Sequence, residues 1–233
     1  MSVQLTNAHV FPPVWQADAS GLLAWGGDLS VARLVLAYRS GIFPWYSEGS
    51  PILWWAPDPR CVLFPRKLHV TASTARIVRR GDLEVRADTA FDHVIAHCRR
   101  VPRAGQSGTW ITAAMETAYR HLHREGYAHS VEVWQRERGL VGGLYGVSLG
   151  AMFFGESMFS VEPNMSKVAL LRLVDHLTAN DFQCVDCQVE SQHLLRLGAE
   201  CIPRAAFQDL LAEALNVPTR KGAWTRMFVA RDG

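Results

Sequence analysis

The sequence lacks the features that direct a chain into or across a membrane. Residues 1–11 contain neither a basic stretch followed by an apolar core nor a small-residue cleavage site, so we expect no secretory signal. The run 139–155, which is as long as any without a charged residue, contains six glycines and a serine and falls short of the roughly 20 apolar residues that a membrane helix needs. We therefore expect a cytoplasmic protein with no membrane partner.

Cysteine is scarce as well, with five residues in a chain of 233. An odd and scattered set argues against the disulfide framework of a secreted protein. Cys184 and Cys187 have the C-x-x-C spacing of redox and zinc sites, but they lie in a predicted strand, where residues three apart point to opposite faces. Without a second pair the motif is weak, so we expect reduced, structural thiols.

Motifs that hold phosphates or metal ions are also missing. The sequence contains neither a P-loop nor G-x-G-x-x-G, which leaves nucleotide hydrolysis and dinucleotide chemistry without support. His93 and His97 are spaced to share a metal ion on a helix, but no third ligand accompanies them and H-E-x-x-H is absent. We expect no metal ion and no cofactor.

Positive charge is concentrated in one segment of an almost neutral chain. The net charge is +2, from 24 basic and 22 acidic residues, yet ten basic and only four acidic residues lie between Arg60 and Arg103. Arginines at two predicted helix ends in this segment are candidates for contacts with nucleic-acid phosphates. The simpler alternative is a solvated helix end favoured by the helix dipole. These arginines are Arg76, Arg79, Arg80, Arg99, Arg100 and Arg103.

The chain divides into two parts by composition. Residues 1–65 are rich in tryptophan, proline and glycine, which indicates a small, irregular but packed domain with one short helix over 31–40. Residues 66–233 alternate between strand-like and helix-like periodicity. We predict strands at 83–87, 130–135, 140–147, 151–160, 184–189 and 200–202, and helices at 89–100, 112–124, 166–179, 191–197 and 204–215. This order matches the mixed sheet with flanking helices of acetyl-CoA-dependent N-acetyltransferases, so we predict an α+β chain whose second domain is N-acyltransferase-like.

One motif imitates a catalytic serine. Gly146–Gly150 fits G-x-S-x-G around Ser148. Asp186 and His193 follow in the chain order of an α/β-hydrolase triad. A nucleophile elbow requires a strand before the serine and a helix after it. Because 151–160 is aromatic and strand-like, we interpret the motif as part of a hairpin and keep a serine hydrolase using Ser148 as an alternative.

Two apolar strands carry carboxylates that need an explanation. On a strand, Asp186 and Gln188 share one face while their neighbours face the other way. Glu156 lies among phenylalanines and methionines in 151–160. An unpaired carboxylate is costly to bury, so we expect each to face a cleft or a partner, with a structural pair at a sheet edge as the alternative.

Motifs along the chain resemble those of the leucyl/phenylalanyl-tRNA-protein transferases in content and order. They are GLLAWGGDLS (21–30), AYRSGIFPWYS (37–47), PILWWAPDPRCVL (51–63), GTWIT (108–112), GGLYGVSLG (142–150), FFGESMFS (153–160), SK (166–167) and DCQ (186–188). The resemblance covers roughly residues 10–215. It implies an N-acyltransferase fold in the C-terminal domain and transfer of leucine or phenylalanine from aminoacyl-tRNA to proteins that begin with arginine or lysine, which marks them for degradation.

The resemblance also implies the site residues. Asp186 and Gln188 would be the catalytic pair, with the carboxylate orienting the amide toward the attacking amine, and Glu156 would help to hold the reacting groups. The site for the 3' adenosine and the aminoacyl side chain would comprise Tyr38, Trp45, Trp110, Leu144, Phe153 and Met158. Leu144 stands where the family carries methionine. This apolar lining favours leucine, phenylalanine and also methionine as donors over side chains branched at Cβ.

Phe153 and Met158 pose a geometric problem, because residues five apart on a regular strand point to opposite faces. If both contact the donor, the strand must contain a bulge, and Gly155 is placed to permit one. We therefore predict a β-bulge within 151–160.

Two further functions remain as alternatives. Acetyl-CoA enzymes place a glycine-rich loop before the helix whose N–H groups bind the pyrophosphate, whereas the connection 161–165 contains a proline and no glycine. We therefore expect no CoA binding and keep an acetyl-CoA-dependent N-acetyltransferase as the second interpretation. A non-enzymatic RNA-binding module would explain the basic segment but not the carboxylates on apolar strands.

Overall fold

The computed structural model describes residues 2–101 and 111–226, which form two sheets. The small sheet consists of β1 (Val3–Leu5), β2 (Leu22–Gly26), β3 (Phe43–Pro44) and β4 (Leu53–Trp55), in the order β1-β2-β4-β3. Helix α1 (Val31–Arg39) begins after Ser30, whose hydroxyl accepts the Arg33 N–H. The predicted helix is confirmed. The four strands are missing from the prediction, because runs of two to five residues are too short to show a period of two.

A seven-stranded sheet forms the rest of the fold. Its strands are β5 (Arg60–Leu63), β6 (Leu83–Ala87), β7 (Ala128–Gln135), β8 (Gly139–Leu149), β9 (Met152–Ser160), β10 (Cys184–Gln188) and β11 (Glu200–Ile202), in the order β11-β5-β10-β9-β8-β7-β6. Neighbouring strands are antiparallel except β9 and β10, which are parallel. The helices are α2 (Ala72–Arg79), α3 (Phe91–Arg100), α4 (Ala113–Arg124), α5 (Met165–Ala179), α6 (Gln192–Arg196) and α7 (Arg204–Ala214).

This architecture confirms the predicted α+β class, the mixed sheet and the order of elements after residue 82, while α2 is an addition. Strand β5 precedes the predicted domain boundary at residue 65, yet it pairs with β10 and β11 in the large sheet. The division of the chain at that residue stays a prediction. Among the described residues, no helix combines the length and apolarity needed to cross a membrane.

The large sheet separates two apolar clusters. Helix α5 covers one face, where Phe153 and Leu144 are buried. Helices α3 and α4 cover the other face together with Tyr38 of α1, which packs on Phe154. Because successive side chains of a strand point to opposite faces, the adjacent Phe153 and Phe154 belong to different clusters.

The segment around Ser148 is a β-hairpin rather than a nucleophile elbow. Ser148 lies within β8, pairs with Phe153 of β9 and is fully buried. The chain turns after Leu149 and continues as a strand, so the helix that would expose a nucleophilic serine is replaced by β9. His193, the third member of the apparent triad, lies on α6 and is exposed. The hairpin interpretation is confirmed, and the serine hydrolase is wrong.

The predicted bulge in β9 is confirmed. Gly155 pairs with Gly146, and Ser157 pairs with Tyr145, so Glu156 has no partner on β8. Because of this extra residue, the side chains of Phe153 and Met158, five positions apart, both lie in the α5-facing cluster. Gly155 is not what permits the bulge, because an added Cβ there would make only ordinary contacts of 3.6 and 3.7 Å.

Gly146, in contrast, requires the absence of a side chain. An added Cβ would overlap the Phe154 carbonyl oxygen and lie 2.5 Å from Cε1 of Phe153. We expect Gly146→Ala to lower the free energy of unfolding by about 1–3 kcal/mol, the typical cost of overpacking. Gly155→Ala is the matched control and should cost less than about 1 kcal/mol. Urea unfolding of both variants measures the difference, and equal midpoints would contradict this view of the hairpin.

Candidate active site

A buried carboxylate lies at the β9 bulge. Glu156 accepts hydrogen bonds from the Tyr38 hydroxyl at 2.7 Å and from the Tyr119 hydroxyl at 2.8 Å. Its Oε1 also accepts the side-chain Nε2 of Gln188 at 2.8 Å. The structure therefore brings Glu156, Gln188 and Tyr38 together, although the resemblance places Tyr38 at the substrate rather than at this carboxylate. Tyr119 is missing from the prediction, since its helical position alone indicates only a core residue.

Burial sets the protonation of this cluster. It raises the pKa of Glu156 to about 7, against the lowering effect of its hydrogen-bond donors Tyr38, Tyr119 and Gln188. Burial and the neighbouring carboxylate also raise the pKa of both phenols well above their usual value. Near neutral pH the phenols are thus protonated while the carboxyl group titrates.

Asp186 makes a different set of contacts from those expected. Its carboxylate forms a bidentate ion pair with Arg60, at 2.8 and 2.7 Å, and both groups are buried. Its Oδ1 also accepts the backbone N–H of Gln188 at 2.9 Å. Asp186 thus orients the Gln188 backbone, whereas Glu156 orients the side-chain amide. The expected contact of Asp186 with that amide is replaced, because Arg60 occupies the carboxylate.

Gln188 has a strained backbone at the end of β10. Its φ is +65°, in the left-handed region that non-glycine residues rarely adopt, and the pairing register with β5 shifts between Asp186 and Gln188. This conformation turns the amide toward Glu156. Because Nε2 donates to that carboxyl group, the amide presents its Oε1 as an acceptor.

The pairing between the two parallel strands ends at this point. β9 and β10 pair through Met152, Phe153 and Phe154, and β9 then continues for six residues paired only with β8. Glu156 and Gln188 both lie beyond the last pair.

The three apolar residues assigned to the donor side chain lie together on the α5 face. Leu144 pairs directly with Met158 across β8 and β9, and Phe153 is in the same cluster. Leu144 and Phe153 are buried, while Met158 is partly exposed. Tyr38 lies on the opposite face, so it contacts the carboxylate rather than this cluster.

Of the two tryptophans expected at the adenosine, the structure describes only Trp45. Trp45 follows β3 and is partly buried, and its ring packs 5.8 Å from the ring of Trp55. The Trp55 Nε1 donates to the Trp45 carbonyl oxygen at 2.6 Å, which holds the two residues together. Trp110 lies outside the described residues.

The candidate tRNA-binding arginines differ in solvent exposure and in ion pairing. Arg76 and Arg79 lie on α2, Arg80 follows it, and all three are exposed. Arg100, the last residue of α3, is also exposed. Arg99 forms an ion pair with Glu116 at 2.9 Å, and Glu116 also pairs with Arg120. Arg103 lies outside the described residues.

The residues of the histidine and cysteine motifs pack within the fold or remain as free thiols. His97 stacks on Phe159 with ring centroids 4.6 Å apart, and burial lowers its pKa. All five cysteines are free thiols, and Cys184 is buried. In the described part of the chain, no group of three or more histidine, cysteine or carboxylate residues could hold a metal ion.

Solved structures with a partly similar arrangement have little sequence in common with this chain. The structure of L-PGS from Bacillus licheniformis has a TM-score of 0.40 at 8% identity, covering 72% of this chain and 53% of that one. A GCN5-related N-acetyltransferase from Kribbella flavida has a TM-score of 0.37 at 8% identity, covering 73% and 59%.

Sequence comparison identifies much closer relatives. The leucyl/phenylalanyl-tRNA-protein transferase of Myxococcus xanthus is 57% identical over 95% of this chain and 95% of its own. That of Anaeromyxobacter sp. is 56% identical over 92% and 91%. The family model described as leucyl/phenylalanyl-tRNA protein transferase matches residues 62–212, and the model of its N-terminal domain matches residues 27–58. These matches show that the chain belongs to the leucyl/phenylalanyl-tRNA protein transferase family.

Proposed function

We propose that this aminoacyltransferase moves leucine or phenylalanine from aminoacyl-tRNA to the N-terminal amine of an acceptor protein. The observation that supports the proposal is the Glu156–Gln188 hydrogen bond just beyond the last β9–β10 pair, because it engages Nε2 of Gln188 and leaves Oε1 of that amide as an acceptor. The proposal includes methionine as a third donor, acceptors that begin with arginine or lysine, and a reaction in the cytoplasm. Five free thiols suit a reducing compartment.

The reaction needs positioning more than activation. The amine nitrogen attacks the ester carbonyl carbon, the amine releases a proton, and the ribose oxygen leaves with a proton as the amide forms. An α-amine has a pKa of about 7.7–8.0, so a useful fraction is already nucleophilic near neutral pH. Holding amine and ester in attack geometry can supply several kcal/mol, and neither ATP nor a metal ion enters the balance.

Gln188 is the residue best placed to hold the amine. Its Nε2 is bound to Glu156, so its Oε1 can accept a hydrogen bond from the attacking N–H. An amide is a very weak base, and its contribution is therefore orientation. Asp186 holds the backbone N–H of Gln188, and Glu156 holds its side-chain Nε2.

The hydrogen bonds among Tyr38, Tyr119 and Glu156 favour a protonated Glu156. Three contacts link Tyr38, Tyr119 and Glu156 in a triangle, and each contact needs one proton. The two phenols supply two protons. A protonated Glu156 supplies the third by donating to one phenol, which then donates to the other. An ionised Glu156 accepts from both phenols and leaves their oxygens facing each other without a proton. This count agrees with the raised pKa of the carboxyl group, about 7.

The start of α5 argues against acetyl-CoA as the donor. The Ser166 N–H, at the helix N-terminus where a pyrophosphate would bind, donates to the Ser160 hydroxyl at 2.8 Å. Met165 N–H is likewise bound to the Glu162 carbonyl oxygen at 3.3 Å. Groups that an acetyltransferase leaves for its cofactor are therefore already used within the chain.

A transfer assay tests the proposed function. The protein is incubated with leucyl-tRNA and a peptide beginning with arginine, and we expect one added leucine by mass spectrometry. Gln188→Ala should lower the rate at least about tenfold, a loss of about 1.4 kcal/mol of transition-state stabilisation. Gln192→Ala, at an exposed glutamine on α6, is the matched control and should retain the wild-type rate. An unmodified peptide, or acetylation from acetyl-CoA instead, would overturn the proposal.

The raised pKa of Glu156 predicts a pH-dependent stability. Because the folded-state pKa of Glu156 is raised from 4.5 to about 7, its contribution to stability is complete below pH 4.5 and is lost as the pH rises through 7. Glu156→Gln mimics the protonated carboxyl group and removes this dependence. Between about pH 5 and pH 8 we expect the wild type to lose about 1–3 kcal/mol relative to the variant in urea unfolding. Glu48→Gln, at an exposed glutamate, is the control, and parallel pH profiles would show that Glu156 does not titrate in this range.

The exposed arginines of α2 and α3 predict a salt-dependent interaction with the tRNA acceptor stem. Arg76→Ala, Arg80→Ala and Arg100→Ala should each reduce the slope of log affinity against log salt by about 0.7–0.9. Arg99→Ala should change it less, because Glu116 already pairs with that arginine. Filter binding at several salt concentrations measures the slopes, with Arg136→Ala as an exposed control outside the segment. Unchanged slopes would return these arginines to the role of solvated helix ends.

A further inference from the structure

The segment that follows α7 returns across the large sheet. We call residues 216–226 the C-terminal strap. Its Thr219 hydroxyl accepts the Gly150 N–H at 3.0 Å, beside the β8–β9 turn. Its Lys221 ammonium lies 4.2 Å from the centre of the Tyr127 ring. The strap is thus held at two points beside the start of β7 and the end of β8, and it lies beyond residue 212, where the family match ends.

The strap ends in a built anchor for Trp224. This indole is only 1% exposed, and its ring stacks on His129 at 4.0 Å between centroids and 9° between planes. The backbone N–H of Trp224 donates to Asp88 Oδ2 at 2.7 Å. The same carboxylate also binds His129 Nδ1 and the Ser130 N–H, each at 2.8 Å. Backbone, carboxylate and stacking ring therefore fix the position of the indole.

Trp224 also packs against a residue of the donor site. Its ring centroid lies 5.9 Å from that of Phe153, at an angle of 41°. Phe153 is fully buried, and the missing side chain of Gly146 leaves room for its ring. The phenylalanine ring is thus bounded by the β8 backbone and by the indole. Since protein interiors are close-packed, removing the indole would leave space into which Phe153 could move.

We infer that Trp224 is a positioning residue that sets the depth of the donor side-chain pocket by fixing the ring of Phe153. The inference rests on the proposed function and on the family resemblance, which assigns Leu144, Phe153 and Met158 to that pocket. A smaller residue at 224 lets Phe153 recede and deepens the pocket. Phenylalanine then gains relative to leucine, because apolar pockets select by volume.

The test compares donors rather than total activity. For Trp224→Leu, we expect the ratio of kcat/KM for phenylalanyl-tRNA to that for leucyl-tRNA to rise about fivefold or more, within the range that one methylene is worth in an apolar pocket. Trp224→Phe keeps a ring in place and should restore the ratio toward wild type. If Trp224→Leu fails to fold, Trp224→Phe replaces it in the test, and we expect the same donor ratio to rise above the wild-type value by a smaller factor.

A second buried tryptophan supplies the matched control. Trp54 is fully buried in the small sheet, 4.9 Å from the ring of Phe11. Trp54→Leu should lower the melting temperature while leaving the donor ratio unchanged, because loss of folded protein reduces both rates equally. An equal loss of both rates in Trp224→Leu would show that Trp224 only stabilises the fold and would overturn the inference.

Failure of the inference can be told from failure of the proposed function. If the wild type transfers neither amino acid, the proposed function is wrong. If the wild type transfers both, and Phe153→Leu changes the donor ratio while Trp224→Leu does not, the function stands and the role of Trp224 is wrong. A shift of the ratio in both variants, in the same direction, supports the inference.

Discussion

The arrangement of the site depends on the buried carboxylate of Glu156. A buried carboxyl group needs hydrogen-bonding partners, and here they come from three separate elements: Tyr38 on α1, Tyr119 on α4 and Gln188 at the end of β10. Docking of the N-terminal helix on the large sheet is therefore coupled to the site itself. Loss of any of these donors would affect both the packing of the two parts of the chain and the orientation of the Gln188 amide.

Asp186 and Glu156, which both contact Gln188, have different roles because their surroundings differ. Asp186 is paired with Arg60, whose guanidinium also lies over the rings of Phe43 and Phe207, so this charge is compensated within the fold. Glu156 has only neutral donors, and burial raises its pKa to about 7. Asp186 thus fixes backbone, whereas Glu156 can change its charge near neutral pH.

Periodicity and composition were sufficient for much of the fold. Alternating apolar residues predicted β7 to β10, and helical spacing predicted α3 to α5, since these elements are long enough to show their period. The bulge in β9 followed from the spacing of Phe153 and Met158 together with the family resemblance, which assigns both to the donor, because a regular strand cannot place them on one face. The strands of the small sheet could not be found this way, because they have two to five residues each.

The sequence by itself determined the family, the order of the main elements and the residues Glu156, Asp186 and Gln188 as candidates, because motifs and strand periodicity are local properties of the chain. Only the tertiary structure decided which groups they meet. Arg60 and Asp186 are 126 positions apart, and Tyr119 and Glu156 are 37 apart. A local pattern shows which face a side chain takes, but which distant group shares that face depends on how the strands and helices pack.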